Sequence, residues 1–156
     1  MATNEIRSKR GTATAATITQ ASLANNGARQ MTAVVNSTDR PGAHISGKIT
    51  TGTSPTSGNL IEFYLCRSDG TYRVDQAGAL DAAITITNAD LVYTIQVTST
   101  SDFTYQYSFY VGGFDQPLGE ELIIAVRNAT GVALNATAGT HVLSYEFELP
   151  DVQAAA

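Results

Sequence analysis

The chain has 156 residues, the size of one domain and enough to bury a core without staples. Only 15% of residues are charged against 43% hydrophobic, and there is a single cysteine, Cys66; a charged disordered chain, a coiled coil, an internal disulfide framework and a cysteine-based zinc site are excluded. The net charge of -5 argues against a general nucleic-acid binder, and no apolar run is long enough for a transmembrane helix.

The charge is split along the chain. Glu5, Arg7, Lys9 and Arg10 give the first eleven residues a net +2, which leaves -7 for the rest. Met1–Gly11 has no apolar core of a leader peptide, so no secretory signal is expected. Residues 1–20 read as an extended N-terminal arm, 21–150 as the folded domain and 151–156 as a C-terminal tail.

Past the basic start the dominant pattern has a period of two, the mark of half-buried strands. In chain order the candidates are Gly11–Gln20, Gln30–Asn36, Ala43–Thr51, Leu60–Cys66, Leu91–Thr98, Thr104–Val111, Glu121–Asn128 and His141–Leu149. Ser68-Asp69-Gly70 is the strongest hairpin turn and predicts a short return strand over Thr71–Val74. Gln76–Ala83 is the one helical candidate, and its Gly78 and short length make a single turn or a 3-10 segment an equal alternative to a helix. The separators, such as Asn25-Asn26-Gly27, Pro41-Gly42 and Gly112-Gly113, carry turn chemistry. The reading is an all-β chain: an antiparallel β-sandwich of jelly-roll type with eight to nine strands and an extended N-terminal arm. Its core should contain Ile61, Phe63, Leu65, Val92, Ile95, Ile124, Val126, Leu143, Tyr145 and Phe147.

Catalytic chemistry finds little to work with. His44 and His141 are the only histidines, and no Gly-x-Ser-x-Gly turn stands near either. Glu120-Glu121 and the pair Glu146 and Glu148 could in principle do acid-base work, but charges on the outer face of an edge-proximal strand also keep it soluble. No calcium loop, phosphate loop or dinucleotide fingerprint occurs, so neither a cofactor nor a metal is expected, and the chain reads as a non-enzyme. Three Asn-x-Ser/Thr matches, at Asn36, Asn128 and Asn135, read as chance in so Thr-rich a chain. Phe103, Tyr105, Tyr107 and Phe109 form one row at i, i+2, which suits a buried face better than a sugar-stacking platform, while Tyr110 points the other way.

The segments Lys48–Pro55 (KITTGTSP), Ile61–Arg73 (IEFYLCRSDGTYR), Asp75–Ile84 (DQAGALDAAI) and Leu118–Thr137 (LGEELIIAVRNATGVALNAT) resemble a family of small proteins encoded among the virion structural genes of tailed bacteriophages. The likeness spans residues 45–145 and consists of strand-and-turn patterns without catalytic signatures. It implies a capsid decoration, or cement, protein located in the virion. Its partners would be the major capsid protein or other virion subunits, with itself as a dimer or trimer, and without nucleic acid or membrane. A tail, connector or head-fibre component, or a carbohydrate-binding sandwich for host adhesion, is the alternative. The residues expected to hold the partner lie on the arm: Arg7, Lys9, Arg10, Thr12, Thr14, Thr17 and Ile18. Their cations would meet acidic surface on a neighbour, and the Thr/Ala stretch would complete a sheet edge.

Overall fold

A computed structural model describes the backbone of residues 5–113 and 117–153, and side chains over 9–113 and 117–149. Among the described residues twelve strands run in chain order: β1 (Glu5–Arg10), β2 (Thr14–Ala15), β3 (Ala28–Gln30), β4 (Val34–Val35), β5 (Gly42–Thr50), β6 (Leu60–Leu65), β7 (Ala82–Ile84), β8 (Asp90–Gln96), β9 (Thr104–Gly112), β10 (Glu121–Leu122), β11 (Ile124–Ala129) and β12 (Val142–Gln153). Short 3-10 geometry occurs at Ala138–Thr140.

The strands form two antiparallel sheets packed face to face, the all-β sandwich that the alternation predicts. The first has the order β1-β12-β5-β9, with β2 also on β12; the second has the order β7-β3-β11-β6-β8. β4 and β10 form a separate two-stranded antiparallel patch. Eight of the strands interleave between the sheets: β2, β5, β9 and β12 lie in the first, and β3, β6, β8 and β11 in the second.

The core lies between the sheets because the inward-facing sets are apolar. Ile61, Phe63 and Leu65 on β6, Ile124 and Val126 on β11, Ile95 on β8 and Leu143 on β12 are buried as expected, and Cys66 joins them. Phe63 is the hub of an aromatic cluster, 4.6 Å from Tyr107 and 5.3 Å from Phe109 between ring centroids. Val92, Tyr145 and Phe147 pack against this core but are only partly buried. Val92 sits on the edge strand β8. Tyr145 and Phe147 line a groove that they share with Val34 and Val35 of β4.

Gly47 shows why a strand interior tolerates glycine here. Tyr107 Oη donates to the Val142 carbonyl at 2.9 Å, and a Cβ on Gly47 would collide with both groups.

Several local expectations need correction. Twelve strands stand among the described residues where eight to nine were expected, because five of them are only two or three residues long, and the strand expected over Gly11–Gln20 shrinks to Thr14–Ala15. Gln76–Ala83 forms neither a helix nor a 3-10 turn; it is a run of bends leading into β7. The buried amide of Gln30 organises it, donating to the Gly78 and Leu80 carbonyls and accepting from the Ala77 amide. Those bonds satisfy backbone groups that a helix would have paired internally. The return strand over Thr71–Val74 shrinks to one bridge, Ser68 to Arg73, around a turn in which Asp69 Oδ1 accepts the Thr71 and Tyr72 amides. At the C-terminal end β12 continues past residue 150 to Gln153, and 154–156 lie outside the described residues.

Candidate assembly interface

The N-terminal segment lies along the last strand of its own chain. β1 pairs antiparallel with the far half of β12, from Glu5 opposite Gln153 to Arg10 opposite Glu148. The Gly11 amide donates to the Phe147 carbonyl, β2 sets Thr14 and Ala15 opposite Tyr145 and Ser144, and the Ala16 amide donates to the Leu143 carbonyl. The Thr17 carbonyl accepts from the Thr32 amide at 2.8 Å, and Ile18 packs against the core. Asp81 then fastens the end of the segment. Its Oδ2 accepts from the Thr19 amide and hydroxyl at 3.0 and 2.6 Å, while Oδ1 binds Arg29 Nε at 2.5 Å.

The expected partner-binding residues are therefore strung along one sheet margin. Arg7 pairs through its backbone with Asp151, and its side chain lies outside the described set. Lys9 and Arg10 are exposed, opposite Leu149 and Glu148. Thr12 and Thr14 line a groove of about 420 Å³ whose opposite walls are Val34, Val35, Tyr145 and Phe147. Thr17 is exposed and Ile18 half-buried.

The pairing of β12 changes half-way. Its residues 142–147 lie opposite β5, but beyond Phe147 its only strand partner among the described residues is β1. The six-residue β1 and the end of β12 thus form a two-stranded ribbon that outruns β5, about 20 Å of extended chain at the usual strand rise.

On the outer face of the first sheet, at the ribbon's root, Arg10, His44, Tyr110, Glu146 and Glu148 surround a recess of about 210 Å³. The register explains the grouping: β12 and β9 flank β5, so Glu146, His44 and Tyr110 stand in one cross-strand row. The Tyr110 hydroxyl donates to Glu148 Oε2; burial and that carboxylate push the phenol up to about 12. His44 Nε2 is 2.8 Å from Ser108 Oγ, but His44 Nδ1 has no hydrogen-bond partner. Ser108 and His44 thus lack the orienting acid that makes such a pair a nucleophile and base. No group of three or more His, Cys, Asp or Glu among the described residues is placed to hold a metal ion.

The other singled-out residues have structural partners. His141 Nε2 donates to the Asn135 carbonyl and Nδ1 accepts weakly from the Thr50 amide, which fixes a neutral tautomer; burial lowers its pKa. Glu120 is exposed, whereas Glu121 is buried in an ion pair with Arg73. The aromatic row on β9 turns inward at Tyr107 and Phe109, while Phe103, just ahead of the strand, is 46% exposed. Asn36 and Asn128 are buried loop pins: Asn36 Nδ2 donates to the Arg40 and Gly119 carbonyls, and Asn128 Nδ2 to those of Leu23 and Val132. Nothing in the local sequence marks Asp81, Asn36 or Asn128 for these roles. The only signal was Asx residues beside turn-forming ones, which marks loops without saying what they grip.

No family model matches the chain, and no curated protein matches it. No helix among the described residues is long and apolar enough to cross a membrane.

Proposed function

We propose that this chain is a non-enzymatic structural protein of a tailed-bacteriophage virion, a decoration or cement protein that binds and stabilises the capsid lattice. The observation that carries the reading is the ribbon. A two-stranded ribbon without a third strand is marginal in water, and docking on a neighbouring subunit would supply the missing burial, with hydrogen bonds to the side of β12 that β5 leaves open beyond Phe147. The basic residues Lys9 and Arg10 at its root would orient that docking towards acidic surface, with exposed pairs contributing about 0–1 kcal/mol each. The interleaved strand order supports a jelly roll, an architecture common among viral capsid domains. The sequence resemblance to virion genes points the same way.

The test compares the full chain with a form lacking residues 1–11 in co-sedimentation with decoration-free capsids of the parent phage, at low and high salt. The truncated form should stay folded, bind more weakly and lose less of its binding when salt is raised. Equal binding by both forms would remove the ribbon from the interface. Binding of the full chain to tails, connectors or head fibres, and not to capsids, would move the protein to that position in the virion.

A further inference from the structure

The sandwich has four sheet margins, and three carry features that discourage pairing with another chain. β1 is rich in charge, EIRSKR. β7 is only three residues long. β8 is offset from β6 by a register shift at Phe63/Tyr64, and it starts at Asp90, which is ion-paired with Arg67. Short strands, charges and bulges are the usual protections of an edge.

β9 has none of them. It is nine residues long, TYQYSFYVG, without a charge or a proline. Its register with β5 runs unbroken from Thr104 opposite Thr50 to Gly112 opposite Gly42. Among the described residues no strand pairs with its other side. Its side chains alternate cleanly, with Thr104, Gln106, Ser108 and Tyr110 exposed and Tyr107, Phe109 and Val111 buried. An added strand would find a polar uncharged row outside and an apolar row inside.

We propose that β9 is a self-association edge, pairing antiparallel with β9 of a second copy about a two-fold axis at Ser108. The sequence is suited to meeting itself. Centred on Ser108, Gln106 falls opposite Tyr110, Tyr107 opposite Phe109, Tyr105 opposite Val111 and Thr104 opposite Gly112. No pair sets like charges together, although the chain carries -5 overall. A two-fold axis presents the same patch from both copies and closes the assembly at two. The first sheets of the two copies would become one continuous sheet, leaving both ribbons free at its far ends. This deepens the proposed role as an assembly subunit and rests on it only for the expectation of self-association.

The experiment is sedimentation velocity on the full chain from low micromolar to several hundred micromolar, with hydrogen exchange at both extremes. The wild type should form a dimer, and amides within 104–112 should gain protection as concentration rises. Ser108→Lys and Ser108→Glu, at an exposed side chain, should each stay folded by circular dichroism and weaken the dimer by about tenfold or more. Mixed one to one, they should restore it. Gln106→Lys serves as a second probe that leaves the Ser108–His44 contact alone. A wild type that is monomeric throughout the range overturns the proposal, as does a dimer indifferent to all three substitutions or one protected elsewhere than β9. Particle binding by the ribbon is read separately, so a monomeric chain that still binds capsids would sink this pairing and leave the virion role standing.

Discussion

Arg73 grips Glu121 through two nitrogens, Nε to Oε2 at 2.9 Å and Nη2 to Oε1 at 2.8 Å, with the Glu121 side chain only 8% exposed. Ser68 Oγ donates to the same carboxylate at 2.5 Å. This joins the Ser68–Arg73 turn to the start of β10, two segments about fifty residues apart in sequence. Arg73→Met should strand a nearly buried carboxylate and cost up to about 3 kcal/mol. The double change Arg73→Met with Glu121→Leu should recover part of that loss, because no charge then remains buried. Urea unfolding of the wild type, Arg73→Met, Glu121→Leu and the double variant decides it; a double variant as weak as the sum of the two singles would mean the pair is held by packing alone.

Asp81 concentrates three bonds on one carboxylate, from the Thr19 amide, the Thr19 hydroxyl and Arg29. Asp81→Ala should cost about 1–3 kcal/mol and raise amide exchange around Thr17–Thr19 more than in β11. Uniform loss of protection across both sheets would show that Asp81 supports the whole fold and has no special hold on the N-terminal segment.

Acid should weaken the fold in two stages. Burial holds the His141 pKa below its ordinary value. The unfolded chain therefore binds more protons between the folded pKa and about 6.5, and stability present above that window is lost as pH falls through it. Glu121 is lowered chiefly by Arg73, and Asp69 by the Tyr72 and Thr71 amides. Burial pushes Asp75 up, but the amides of Thr87, Asn88 and Ala89 on its Oδ2 outweigh this and hold it low. Those carboxylates contribute stability above about pH 4 that is lost below it. Melting temperatures should fall gently below about pH 6.5 and steeply below about pH 4. His141→Gln should remove the first stage only; a gentle phase that persists in this variant would assign it to another group.

Truncations in the core should follow burial and not residue type. Phe63 is 0% exposed at the centre of the aromatic cluster, and Phe63→Ala should cost about 3–5 kcal/mol. Phe147 is only half-buried beside the groove at the ribbon's root, so Phe147→Ala should cost about 1–2 kcal/mol. Equal losses would mean that the groove closes over Phe147 in solution.

The strands easiest to read from sequence were those with one wet and one dry face. β9 alternates along its whole length, and β5 beside it and β12 beyond β5 alternate over much of theirs, so the sandwich follows from side chains alone. β1 escaped because EIRSKR shows no apolar face; only the presence of β12 beside it makes it a strand. β7 escapes because its short AAI, at the end of the Ala-rich run QAGALDAA, reads as helical until the amide of Gln30, distant in sequence, takes up the backbone groups before it. The same limit applies to the candidate interface. The basic arm was visible as a change of charge, but its place against Leu143–Gln153 depends on pairing, which local pattern does not encode. An undefended edge is likewise a property of which strand ends up outermost.

Cys66 lies at 0% exposure, its thiol pushed up to about 12 by burial and then by Asp75 and Asp90. A thiol reagent in neutral solution can react with it only when the sheets part. The wild-type chain therefore carries its own clock: the rate of alkylation counts openings of the interior without any introduced label. Slower alkylation on docking to a particle or to a second copy would report, in one number, how much that contact restrains the opening of the sandwich.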